Sequence, residues 1–307
     1  MKTISFILHG KHLLKHSIQQ EAQDIFKNEY NLIFHTTQSS RQAEELAREA
    51  VSDGANYLIA VGGDGTIHEV VNGLMKIEKE KRENLIVGLL PVGSGNDFAR
   101  SLRLSKKVSD LYTMIKQNQF IKLDIGRLEC KSMSNEDKIF YFANISDVGL
   151  GAEVAKKVNE GDKTYGPNMA FFAATLNTFL EYKKKKIKII SDGFNYEGNV
   201  LILCFANAKY FGSGLGIAPH AKFNDGKLAV TLAGDVSLLD YLKNIFKIRK
   251  CVPVNHSQIT YAQVESCVVE PIGTPCLIEA DGEMIGKIPL KASVLKNEIK
   301  FLSMFTE

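Results

Sequence analysis

Three short stretches of this 307-residue chain carry residue types that could do chemistry. Gly63-Asp64-Gly65-Thr66 sets a carboxylate inside a glycine-rich loop that follows an apolar run. Gly93-Ser94-Gly95-Asn96-Asp97 repeats the arrangement with a second hydroxyl and a second aspartate. Asp281-Gly282-Glu283 places two carboxylates around a glycine on a turn. Glycine loops between a strand and a helix hold phosphate on backbone N–H groups and a helix N-terminus. Neither loop has the third glycine of a dinucleotide fingerprint, because His68 and Phe98 stand there, and no GxxxxGK[ST] occurs. A carboxylate beside phosphate is repulsive unless a cation lies between them, and Mg²⁺ commonly binds through one or two carboxylates plus substrate phosphates. Asp64 therefore reads as a magnesium ligand, or as the cap of the helix that follows it. The 281–283 turn reads equally as a plain hairpin or as a place where a carboxylate accepts a proton from a hydroxyl.

The elements that would position these loops are legible up to about residue 125. Apolar strand runs at 4–8, 31–34, 57–61 and 85–90 alternate with helical patterns at 17–28 and after Ser39, where Gln42 makes a capping-box pair. Continuous apolar strands alternating with helices predict a parallel sheet covered on both faces, whose ligands bind beyond the carboxyl ends of its strands. Both glycine loops sit at such ends. From about residue 126, short strands follow at 139–145, 187–190, 198–206, 227–233, 258–262, 264–270 and 276–280, with helices at 169–184 and 237–249. This texture predicts a mostly antiparallel second domain, a sandwich or a barrel.

Composition narrows the class. The 45% hydrophobic and 24% charged fractions are those of a globular protein. A net charge of +3 argues against a dedicated nucleic-acid binder. Five cysteines without a CxxC pair read as free thiols of a reducing compartment. No signal peptide or membrane span is expected, which predicts a cytoplasmic protein.

GGDGT at 62–66 with Glu69 and Asn72-Gly73, followed by PVGSGNDFAR at 91–100, resembles the diacylglycerol kinase catalytic-domain family of bacterial lipid kinases, sphingosine kinases and ceramide kinases. KLDIG at 122–126, GLGAEVA at 149–155, NDGKL at 224–228 and EADGE at 279–283 continue the resemblance in order. It implies an NAD kinase/diacylglycerol kinase-like α/β ATP-binding domain at 1–125 with about 292–307. It also implies a β-sandwich lipid-substrate domain at 126–291, with the last strands returning to the first domain. By the same resemblance Gly63, Asp64, Gly65, Thr66, Glu69, Ser94, Gly95 and Thr37 contact ATP. Asp64, Asp97 and Asp124 hold a magnesium–water network, Glu283 is the general base with Asp281 beside it, and Asp225 with the carbonyls of Lys222 and Lys227 forms a structural Mg²⁺ site.

The family usually places Asn-Pro and a glycine-bearing phosphate loop after its first strand; here stands His9-Gly10-Lys11-His12, in which Lys11 could serve phosphate as a point charge. His12 and His16 read as a solvated helix face. Phe171, Phe172, Phe179, Tyr182 and the lysines at 183–186 read as a core helix with a basic last turn, or as a face that docks on anionic lipid. The expectation is an ATP- and Mg²⁺-dependent kinase of a diacylglycerol-like lipid with transient membrane contact and no nucleic-acid partner; a homodimer stays open. Two rivals also stay open: an NAD kinase-like enzyme acting on a small hydroxylated molecule, and a regulator that binds nucleotide or lipid without turnover.

Overall fold

A computed structural model describes residues 1–304 apart from Lys11 and 161–166, and their side chains apart from 159–171. The chain divides into two compact units, Met1–Leu123 with Asn297–Glu307, and Asp124–Lys296.

The first unit begins with β1 (Lys2–Leu8), α1 (Lys15–Phe26), β2 (Tyr30–Thr36), α2 (Gln42–Ser52), β3 (Tyr57–Gly62) and α3 (Asp64–Leu74). It continues through α4 (Lys79–Arg82), β4 (Ile86–Pro91), α5 (Asp97–Ser101) and α6 (Val108–Lys116). β3 and β4 are buried at every residue, as strands covered on both faces must be. The strands pair in parallel as β4-β3-β1-β2. Ile4, Phe6, Tyr57, Ile59 and Leu90 pack with Ile18, Phe26, Leu111 and Ile115 of α1 and α6, while α2 packs on α3.

The expected capping box at Ser39 and Gln42 does not start α2. Its N-cap is Arg41, in a left-handed conformation and with no side-chain cap bond. The Glu69 carboxylate on α3 takes the amides of Arg41 and Ala43, each at 3.0 Å. A partner from another helix thus does what the local pair was expected to do.

The second unit holds most of β5 (Phe120–Ser132), then β6 (Asp137–Phe142), β7 (Ile145–Gly149), α7 (Leu150–Glu160), α8 (Pro167–Glu181), β8 (Lys185–Ser191), β9 (Tyr196–Val200) and β10 (Ile202–Ala206). β11 (Leu228–Ala233), α9 (Leu238–Arg249), β12 (Ile259–Val264), β13 (Ser266–Ile272) and β14 (Leu277–Ala280) follow. β15 (Glu283–Leu302) closes the unit, and its end returns to the first, where Lys300 and Phe301 pair in parallel with Ile86 and Val87. One antiparallel run is ordered β12-β11-β10-β7-β14-β15, and a second, β9-β8-β13, joins β15 farther along that strand. Period-two burial builds the sandwich: Leu203, Phe205, Val148 and Ile278 meet Ile187, Ile189, Val269 and Leu290 in its core. The alternate residues Ile202, Cys204 and Ala206 face a second cluster with Leu150 and Val154 of α7.

The continuous strand expected at 139–145 is two strands, β6 and β7, broken at Ala143 and Asn144 because their amides are drawn to the Asp281 carboxylate. All five cysteines are free thiols. Among the described residues no helix is long and apolar enough to cross a membrane.

Candidate active site

In the first unit β1, β3 and β4 end together, and the loops after them are laced to one another. His9 N donates to Val61 O at 3.0 Å, and Gly10 N donates to Thr37 Oγ1 at 3.0 Å. A Cβ on Gly10 would lie 1.8 Å from Thr37 O, so only glycine fits. His12 Nε2 lies 2.9 Å from Val92 O, and Leu14 N donates to His12 Nδ1 at 3.2 Å. An amide N–H can only donate, so Nδ1 accepts and Nε2 carries the proton. His12 precedes α1, so the expected helix face shared with His16 does not exist. Lys11, expected on phosphate, lies outside the described residues.

The two glycine loops touch: a Cβ on Gly93 would stand 2.4 Å from Gly63 Cα. No side chain caps α3. Its first residue, Asp64, turns instead to α5, where Oδ2 accepts from Asp97 N at 3.1 Å and Oδ1 from Phe98 N at 3.0 Å. The helix that Asp64 caps is therefore the one after the other glycine loop. The buried Asp97 carboxylate lies 3.6 Å from Arg100 Nε. A Cβ on Gly95 would lie 3.0 Å from Asp64 Oδ2 and 4.0 Å from Asp97 Oδ2, so both carboxylates border one small space. Thr66 is buried against Gly62, and Ser94 is exposed. Glu69, expected on ATP, spends both carboxylate oxygens on the N-terminus of α2.

In the second unit Asp281 is buried at a left-handed turn (φ 51°). Its carboxylate accepts the amides of Ala143, Asn144 and Ile145 at 3.0–3.1 Å. Gly282 and Glu283 stand exposed on the same turn. From Asn144 a hydrogen-bonded chain runs to Asp124: Asn207 N donates to Asn144 O, and Asn207 Nδ2 donates to Asp124 O. Asp124 Oδ2 accepts from Gly226 N at 2.7 Å, next to Asp225. The Asp225 carboxylate accepts from Lys227 N and from Gln263 Nε2, at 3.1 and 3.3 Å. Asp124 and Asp281 thus belong to one network of the second unit, and Asp64 and Asp97 to the first.

Sequence reasoning missed Asn144 and Asn207, the linkers of that network, although each amide sits in a short apolar context (FAN, FANA) that hints at burial. It also missed Asp147. Asp147 and Glu279 are register partners on β7 and β14, and Cys204 lies across from Asp147 on β10. Asp147 Oδ1 accepts from Ala152 N at 3.1 Å, and Glu279 Oε2 accepts from Gly282 N at 2.6 Å. Burial pushes both carboxyls far above the ordinary range, and the Asp147 charge raises Glu279 further. The pair holds a proton at neutral pH.

Residues 6–128 match the diacylglycerol kinase catalytic domain, and residues 144–303 match the YegS C-terminal NAD kinase beta sandwich-like domain. The chain belongs to the kinase family that these two domains define. Within that family it is 26% identical over 301 residues to the "Probable lipid kinase YegS-like" protein of Alcanivorax borkumensis, covering 97% of this chain and 96% of that one. It is 23% identical to the diacylglycerol kinase of Staphylococcus carnosus, covering 95% and 90%. The crystal structure of a diacylglycerol kinase from Bacillus anthracis strain Sterne shares the fold at a TM-score of 0.73 and 17% identity, covering 98% and 97%. A second structure from that organism aligns at 0.80 and 20%, with the same coverage.

Proposed function

We propose that the chain is an ATP- and Mg²⁺-dependent lipid kinase that moves the γ-phosphoryl group of ATP to a hydroxyl of a diacylglycerol-like lipid, giving a phosphatidic-acid-like product. The observation that carries the reading is the pair of interlocked glycine loops with two carboxylates at the strand ends of the first unit. The uncapped N-terminus of α3 and the amides of Gly63–Gly65 suit phosphate oxygens, as does the exposed Ser94 hydroxyl. Asp64 and Asp97 fit a hard divalent cation, because two oxygen donors border one space beside an anion cradle. Mg²⁺ there would neutralise charge on the polyphosphate.

The second unit would present the acceptor and the base. The lipid hydroxyl oxygen bonds to the γ-phosphorus, the bond to the β-phosphate oxygen breaks, and the hydroxyl proton passes to the Glu283 carboxylate. Asp281 acts through the backbone, by fixing the turn on which Glu283 stands.

A lipid acceptor is favoured by an apolar cavity in the second unit, of about 100 Å³ and partly open to solvent. Leu150, Val154, Phe179, Leu201, Phe211 and Ile248 are among its lining residues, a surface suited to acyl chains and ill suited to a second nucleotide.

The test is incubation with labelled ATP and Mg²⁺ in separate arms holding a total lipid extract, diacylglycerol or NAD, with the labelled product identified. Label in a phosphatidic-acid-like product is expected. Label in NADP alone, or in none of the arms, would overturn the lipid reading.

A further inference from the structure

Helix α9 (Leu238–Arg249) is well formed yet buries none of its side chains fully. Ser237 and Asp240 close a capping box at its start. Near its end Ile248 O accepts from Gly216 N at 3.0 Å. Its inner face lines the apolar cavity through Tyr241, Asn244 and Ile248, and Tyr241 meets Phe179 of α8 with ring centroids 5.9 Å apart. A helix seated on a cavity has only this partial face to hold it.

The outer face is apolar where a helix surface is expected to be polar. Leu239 is 66% exposed, Leu242 39% and Phe246 76%. At about 3.6 residues per turn these three fall on one stripe. Lys243, Lys247, Arg249 and Lys250 are exposed around the stripe, and no exposed residue of 239–250 is acidic. The one acidic residue, Asp240, is half-buried, bonded to Ser237 and 3.8 Å from His256. α8, which touches α9 through Phe179, exposes Leu180 at 73%.

The basic run at 183–186, read from the sequence as the basic end of a core helix or as a lipid-facing segment, is half engaged within the protein: Lys183 and Lys186 are exposed and the two lysines between them are half-buried. Lys185 and Lys186 open β8, Lys184 lies 3.5 Å from Asp235, and Lys185 donates to Pro275 O at 3.0 Å. Phe172, Phe179 and Tyr182 are half-buried. The side chain of Phe171 lies outside the described residues.

We infer that the outer face of α9 docks on an anionic phospholipid bilayer, with Leu239, Leu242 and Phe246 entering the interface and the four basic residues meeting lipid phosphates. The inference rests on the lipid-kinase reading for its purpose but on α9 alone for its physics. Exposed large apolar residues ringed by one sign of charge are the pattern of an interfacial helix, and the opposite charge of the bilayer selects the occupant. Docking this face would set the cavity wall against the source of the acyl chains.

The chain has no tryptophan, so Phe246→Trp supplies a single probe. Its emission should shift to the blue with vesicles of phosphatidylcholine and phosphatidylglycerol, be quenched by brominated lipid, and change little with phosphatidylcholine alone. Each basic residue near an anionic surface is worth about five-fold in partition, so replacing Lys243, Lys247 and Lys250 together with glutamine should weaken vesicle binding about 100-fold. Leu242→Gln with Phe246→Gln should weaken it at least about 10-fold. Added salt should weaken the unmutated protein and spare the triple-glutamine variant most of that loss.

All replaced side chains are exposed, and activity on a short-chain lipid in detergent micelles should stay unchanged in every variant. That arm separates the two readings: activity in micelles with no vesicle binding would sink the docking face and keep the lipid kinase. Equal vesicle binding by all variants would overturn the inference. So would a dimer in solution that Phe246→Gln dissolves, which would make this face a contact between two copies of the chain.

Discussion

Asp281 and Glu283 stand two residues apart and have opposite surroundings. Asp281 is buried with its carboxylate oxygens engaged by three backbone amides, while Glu283 is exposed. Glu283→Gln keeps volume and removes the acceptor, so turnover should fall roughly 10²–10⁴-fold with ATP affinity and melting temperature nearly unchanged. Asp281→Asn puts an amide donor against an N–H and should cost about 2 kcal/mol of stability, read as a lower urea midpoint. A stable Asp281→Asn variant with a larger catalytic loss than Glu283→Gln would exchange the two roles. Asp64 has a double duty that separates by assay in the same way. Asp64→Asn loses part of the α5 cap, worth about 1 kcal/mol, whereas its proposed metal role predicts loss of turnover by orders of magnitude. Near-normal turnover at saturating Mg²⁺ in that variant would leave Asp64 as a cap alone.

At the scale of elements, the bond between Glu69 and α2 joins two helices that the sequence presents as separate. Removing it in Glu69→Ala leaves the amides of Arg41 and Ala43 without their acceptor. Stability should drop by about 1–2 kcal/mol with the ATP dissociation constant unchanged; a large rise in that constant would return Glu69 to the nucleotide. The same bond shows where reading by neighbours stops. β3 and β4 were legible because burial on both faces writes itself as an unbroken apolar run. The glycine loops were legible because close approach of two backbones leaves no other residue possible at Gly93. The start of α2, the break between β6 and β7 and the cap of α5 were not, since each is decided by a carboxylate 26 or more residues away. The candidate site was legible in its residue types and illegible in its wiring. Asp64, Asp97, Asp281 and Glu283 could be picked out, but not that Asp281 holds a broken strand or that two asparagines tie it to Asp124.

At the scale of the whole molecule, the buried Asp147–Glu279 pair couples folding to pH. Both carboxyls sit in the second unit with their proton affinity raised by burial, and burial is the larger cause for each. In the unfolded chain they ionise near the usual carboxylate values of about 4. Between there and the folded values, which reach about 8 at Asp147, the native state binds more protons than the unfolded one. Stability therefore falls as pH rises through this window, because the unfolded state gains ionised carboxylates that the native state excludes. Glu279→Gln removes one of the two titrations and keeps an oxygen for the Gly282 amide. Its melting temperature should lie close to that of the unmutated protein at pH 5 and above it at pH 8, with a shallower slope between. Parallel melting curves for the two proteins from pH 5 to 8 would mean that the Glu279 carboxyl holds no more protons in the native state than in the unfolded one, and that burial does not raise its proton affinity.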